Sequence, residues 1–281
     1  MSVRTDLAVE SVGENLRDGI TRSRRGNAFR ITEILIRNDQ SGAEIGRKKG
    51  RYITLEADGF DRISKDFQSM CTEFSKELAP FLPDGNILVA GLGNSDITPD
   101  ALGPKAVSQI LATRHLKDEL AGEDEFLAGL RSVGVIAGGV LGQTGIETAE
   151  LIHAVAEKIQ PSCIIAIDAL ACSDISRLGK TIQLSDSGIS PGSGVQNKRR
   201  ELSEETLGIP VIAVGVPTVV DMHTIVTNYT KHKINSELPN MMVTPRDVDK
   251  LIDRASSMLA FGINMALHPQ LDFDEIEAIM C

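Results

Sequence analysis

Four short apolar runs rich in β-branched residues, Ile87 to Ala90, Val133 to Ala137, Ile164 to Leu170 and Val211 to Val216, constrain this chain most. Runs of this length without polar alternation read as strands covered on both faces. Helical periodicity fills the intervals, in Lys105 to Lys117, in Thr144 to Ile159 and from Val219 onward. Alternation of this kind predicts an α/β fold with a mostly parallel central sheet and helices on both sides. At 281 residues and 42% hydrophobic content the chain can bury a sizeable core.

Other segments read less regularly. Arg17 to Arg30, rich in arginine and glycine, is expected to form an exposed, weakly ordered arm. Ile31 to Ile36 and Tyr52 to Leu55 read as a β-hairpin, making residues 31–56 an insertion or appendage to one domain over residues 7–281. The basic turn Gly46 to Gly50 between them is read as a solvated tip. Phe60, Ile63, Phe67, Met70, Phe74 and Leu78 mark the buried face of a helix from Phe60 to Phe81. Gly179 to Gly208 reads as a long polar loop, and Pro245 to Leu267 as the last long helix. A formal charge of -10 opposes binding to nucleic acid or to an anionic membrane. With no uninterrupted apolar run of membrane-spanning length and no apolar leader at Met1, a cytoplasmic protein is expected.

Candidate chemistry gathers where strands give way to loops, the usual place for ligands in open α/β sheets. After Ala90 comes Gly91-Leu92-Gly93-Asn94-Ser95-Asp96-Ile97-Thr98-Pro99-Asp100. Its Gly-x-Gly lacks the third glycine of a dinucleotide loop, because Asp96 stands there and would repel a pyrophosphate. Asp168 ends an otherwise apolar strand, where an ionised carboxylate costs several kcal/mol unless it is paired or hydrogen-bonded. Asp100 and Asp168 would both emerge at strand ends. Two such carboxylates can share a proton and split the roles of base and acid in amide hydrolysis, or they can hold a divalent metal.

A third strand-to-helix loop runs from Gly138 to Glu150. Thr144 and Glu147 have capping-box spacing, and the glycines there, Gly142 among them, would bring backbone N–H groups to an oxyanion. Asp186-Ser187-Gly188 is the aspartic-protease tripeptide, read as a turn because the α/β pattern opposes an all-β enzyme. Thr218 and Asp221 read as the start of a helix. The cysteines Cys71, Cys163, Cys172 and Cys281 show no CxxC spacing and are expected to be reduced, and the histidines show no zinc spacing.

In these residues the chain resembles the germination protease family of spore-forming bacteria. The likeness runs through Val3-Arg4-Thr5-Asp6-Leu7-Ala8-Val9-Glu10, Leu92-Gly93-Asn94, Thr98 to Pro104, Gln143-Thr144-Gly145 with Glu147 to Glu150, Ile167 to Leu170, Pro191 to Val195 and Gly215 to Asp221. The resemblance implies an endopeptidase that degrades small acid-soluble spore proteins in the spore core. It implies a three-layer α/β sandwich like that of hydrogenase maturation proteases, and Asp100 and Asp168 as the catalytic aspartates of an atypical aspartic peptidase. Asn94, Asp96, Gly142, Gln143, Thr144 and Glu147 are expected to support the site, with no cofactor and no metal. It further implies a homotetrameric zymogen that removes residues 1–6 by cutting Asp6–Leu7, since Asp-Leu-Ala-Val-Glu copies the acidic, apolar, Ala, x, Glu pattern of the substrates. A metal-binding maturation-type protease and a non-catalytic peptide-binding module are the alternative readings.

Overall fold

The computed structural model describes residues 5–12, 18–60, 65–119, 126, 129–190, 200–230 and 239–280. Its strands are β1 (Ile20–Arg25), β2 (Arg30–Ile36), β3 (Gly50–Glu56), β4 (Ile87–Gly91), β5 (Val133–Ala137), β6 (Cys163–Cys172), β7 (Thr181–Ser185), β8 (Val211–Asp221) and β9 (Met242–Val243). They form one nine-stranded sheet in the order β1-β2-β3-β7-β8-β6-β4-β5, with β9 beside β8. The apolar runs form its parallel part, β8-β6-β4-β5.

Along the parallel strands, successive side chains enter different cores. Ile87, Val89, Cys163, Ile165, Ile167, Ile212 and Val214 face the helices Phe67–Leu78, Leu102–Val107, Val248–Leu267 and Phe273–Met280. Leu88, Ala90, Ile164, Ala166 and Val211 face the helix Thr148–Ile159. Helices, sheet and helices make the three expected layers. Where the second helical layer ends, the N-terminal segment continues it, with Leu7 and Ala8 fully buried against strands of the same sheet.

Several expectations change. The supposed arm contains β1, paired with β2 along its whole length; Arg24 and Arg25 are exposed at the sheet edge, where charge discourages further pairing, while Arg22 donates to the Val12 carbonyl at 2.8 Å. The hairpin is hydrogen-bonded into the main sheet through β3 and β7. The long loop also gives way: β7 occupies its first part, hidden in the sequence because only Ile182 and Leu184 face the main core. Residues 191–199, including Pro191 to Val195, lie outside the described residues.

The helices are shorter than their periodicity suggested. Lys105 to Lys117 breaks into Leu102–Val107 and Arg114–Glu119, because Asn264 in the helix interior accepts from Leu111 N and donates to the Gln109 carbonyl. Thr144 to Ile159 breaks at Gly145, whose φ of 71° ends the turn Leu141–Thr144 before a second helix starts at Thr148. Thr144 and Glu147 therefore form no capping box. The Phe60 helix spans Phe67–Leu78 and the last long helix Val248–Leu267. β8 runs on to Asp221, so Thr218 lies within the strand and Asp221 caps the helix Met222–Thr230 by accepting from Thr224 N at 2.9 Å. Cys71, Cys163 and Cys172 are buried, and none forms a disulfide among the described residues.

Candidate active site

Asp168 lies within β6, which continues four residues past it, rather than at the strand's end. Its neighbour β4 stops opposite Ile167, so the β6 edge is open beyond that point. The N-terminal segment occupies this edge. Asp6 N donates to the Ala171 carbonyl at 2.8 Å, and Ala171 N donates to Asp6 Oδ2 at 2.8 Å.

Asp168 is only 5% exposed, and its Oδ1 accepts from Ala169 N at 2.9 Å. It lines a cavity of about 230 Å³ together with Asp6, Arg47, Tyr52, Gln183, Ser185 and Gly215. Sheet register explains the floor: Asp168 pairs with Gly215 and Gly215 with Gln183, so the three share one row and one face. In the next row stand Ala213, Ser185 and Tyr52. Ser187 and Gly188, from the Asp-Ser-Gly bend, line the rim. Among the described residues that line the cavity are three carboxylates, Asp6, Asp168 and Glu201, and two cations, Arg47 and Lys48, and no histidine or cysteine.

The segment around Asp6 is held at nearly every polar atom. Arg47 Nη1 donates to the Asp6 carbonyl at 2.9 Å and Nη2 to the Thr5 carbonyl at 2.8 Å. Arg47 Nε and Nη2 also reach Ser11 Oγ. Gln183 spans the next peptide bond, with Nε2 donating to the Asp6 carbonyl at 2.9 Å and Oε1 accepting from Ala8 N at 2.6 Å. Because Ala8 N can only donate and the Asp6 carbonyl can only accept, the amide orientation is fixed. Loss of water around the Arg47 guanidinium pushes its pKa down, opposed by Asp6, Tyr52 and Glu10. The tip read as solvated is thus divided in role: Arg47 grips the N-terminal segment, while Lys48 pairs with Glu201 and Glu205.

Downstream of Leu7, the Glu10 carboxylate is 3% exposed and sits in a ring of donors. Ser173 N and Ser173 Oγ each donate to it at 2.7 Å, and Asp174 N and Arg177 Nη1 at 3.2 Å. Thr5 Oγ1 donates to it as well. Leu7 packs into an apolar cluster with Leu170, Cys172 and Val220.

Asp100 closes a short turn, Thr98–Asp100, packed against β6 and β8. Its Oδ2 accepts from Asn94 N at 2.8 Å, and Thr218 Oγ1 donates to the Pro99 carbonyl at 2.7 Å. It is not among the described residues that line the cavity. Asn94, Asp96 and Gln143 meet one another: Gln143 Nε2 donates to Asn94 Oδ1 at 2.7 Å and to Asp96 Oδ2 at 2.8 Å. This cluster, with Gly142, Thr144 and Glu147, is also absent from the lining. Sequence reading missed Arg47, Gln183, Ser173 and Arg177. Only Gln183 left a trace, as a polar residue between Ile182 and Leu184.

Comparison with known proteins adds a second line of observation. The family model described as germination protease matches residues 2–238. The germination protease of Clostridium tetani is 40% identical, over 100% of both chains. That of Priestia megaterium is 39% identical, over 99% of this chain and 96% of its own. Among solved structures, a NiFe hydrogenase maturation protease from Thermococcus kodakarensis overlaps 66% of this chain and 98% of its own, at 15% identity and a TM-score of 0.34, too low to carry an argument.

Proposed function

The chain belongs to the germination protease family, and on that footing we propose that it is a zymogen endopeptidase acting on small acid-soluble spore proteins. Asp100 and Asp168 form its catalytic pair, and residues 1–6 are its propeptide, removed by self-cleavage at Asp6–Leu7. It works in the spore core as a homotetramer. The observation that carries this reading is the seating of residue 6, the acidic residue of the proposed cleavage pattern, in the cavity lined by Asp168.

Each fixed position of the pattern meets a fitting environment. The acid at position 6 accepts from Ala171 N, the apolar Leu7 enters an apolar cluster, and the small Ala8 is fully buried. Glu10 fills the ring around Ser173 and Arg177, whereas Val9, the variable position, is only half-buried. Water held by one aspartate attacks the Asp6 carbonyl carbon, and the other aspartate protonates the departing Leu7 nitrogen.

The test uses the full chain, monitored by mass spectrometry for loss of residues 1–6, and a peptide copying residues 3–12 as substrate. Asp168→Asn and Asp100→Asn are each expected to abolish both cleavages without unfolding the protein. Cleavage by Asp168→Asn at the wild-type rate, or a wild-type chain that cuts neither bond, defeats the reading.

A further inference from the structure

The carbonyl of Asp6 receives two side-chain donors from different parts of the fold, Arg47 Nη1 and Gln183 Nε2, each at 2.9 Å. Every other main-chain oxygen of the segment could be held for packing alone, but this one belongs to the bond proposed for cleavage. Arg47 comes from the connection between β2 and β3, and Gln183 from the middle of β7. Arg47 is placed by its own N–H, which donates to the Gly42 carbonyl at 2.9 Å. Gln183 is placed by the sheet, in the row shared with Asp168.

We propose that Arg47 and Gln183 form the oxyanion site of this protein, as catalytic residues that stabilise the tetrahedral intermediate at the acidic residue's carbonyl. This inference rests on the endopeptidase reading above and moves the oxyanion role away from the Gly138 to Gly145 loop. In the step, a water oxygen bonds to the Asp6 carbonyl carbon, the carbonyl π pair moves onto oxygen, and one water proton passes to an aspartate. The oxyanion then collapses to a carboxyl carbonyl. The C–N pair leaves with nitrogen, which takes a proton from the acidic partner and becomes the Leu7 amine.

The site is suited to that task. A guanidinium supplies full positive charge where negative charge develops, and a neutral amide supplies a donor fixed by its second bond to Ala8 N. Donors already in place need no reorganisation during reaction, and their hold strengthens as the oxygen gains negative charge. Gln183 also joins the two sides of the bond, since Asp6 O and Ala8 N flank Leu7. A substrate protein threaded in the same register would meet the same pair.

Two variants test the proposal in the full chain. Gln183→Glu keeps the acceptor for Ala8 N but removes the donor to Asp6 O. Arg47→Lys keeps the charge but loses the fork. Each is read by the rate of Asp6–Leu7 cleavage and by hydrogen-exchange protection of the Asp6 and Ala8 amides, which reports whether the segment stays seated. Loss of one oxyanion donor is expected to slow cleavage about 100-fold with protection retained. For Gln183→Glu the rate relative to wild type should recover toward about pH 4.5, where a glutamic acid regains an O–H donor. Slow cleavage with protection retained supports the site. A wild-type rate, or slow cleavage with protection lost, overturns it and leaves the pair a holding device at most. If Gln183→Glu does not fold, Arg47→Lys decides by the same two readouts. Asp168→Asn, run in parallel, separates failure of the oxyanion site from failure of the endopeptidase reading.

Discussion

Asp168 and Gln183 face the same cavity from one row of the sheet, separated only by Gly215. Two interstrand steps put their backbones roughly 10 Å apart, and the absent side chain at Gly215 leaves the space over it to Leu170.

A methyl group at Gly215 would lie 2.5 Å from Leu170 Cγ and 2.9 Å from the Asp168 carbonyl oxygen. Gly215→Ala is therefore expected to destabilise the protein by about 1–3 kcal/mol and to slow cleavage, measured by urea unfolding and by the processing assay. Unchanged stability would show that the row is looser than described.

Glu10 loses its charge but not its shape in Glu10→Gln. Hydrogen bonds to charged groups contribute about 1.5–3 kcal/mol, so protection of the Ala8 amide should fall by at least roughly tenfold. Hydrogen exchange resolved by mass spectrometry measures it. Equal protection in the two proteins counts against the ring around Ser173 and Arg177 as an anchor.

Cys172 reports on the same segment. Burial pushes its thiol up to about 12 from 9.0, with Glu10 and Asp174 adding to the shift, and Leu7 packs in its cluster. Alkylation at about pH 8 should be slow in the intact chain and faster in Glu10→Gln. The folded chain holds this proton more tightly than the unfolded one, so stability falls as pH rises from about 9 toward about 12. In Cys172→Ala that share of the slope disappears, as urea unfolding on both sides of about pH 9 will register.

Thr218 ties β8 to the turn that carries Asp100, through the bond to the Pro99 carbonyl. Thr218→Val leaves that carbonyl without this donor, at a cost of about 1–3 kcal/mol. Cleavage should slow while the far-ultraviolet dichroism of the fold is retained. A variant as stable and as active as wild type would detach Thr218 from the placement of Asp100.

Much of the scaffold was legible because the parallel strands are buried on both faces and so carry uninterrupted apolar runs. Asp168 was conspicuous for the same reason, being the one charge in such a run. Arg47 was not, since nothing near Gly46 to Gly50 shows that the turn folds back onto residues some forty positions earlier. β1 was hidden by the arginines of an edge strand, and β7 by polar residues that face the cavity instead of solvent. The break at Gly145 and the one beside Asn264 are tertiary events that override a helical pattern.

Burial of Leu7 decides the fate of the strand once its amide is cut. Its nitrogen, now donating to Thr5 Oγ1 at 3.0 Å, would become an ammonium group with an ordinary pKa of about 7.7–8.0, tied to a side chain buried in an apolar cluster and deprived of Thr5. Such a charge costs several kcal/mol to keep from water. On the proposed reading, the new terminus works against the cleaved strand staying seated, which favours processing in one direction and clears the groove.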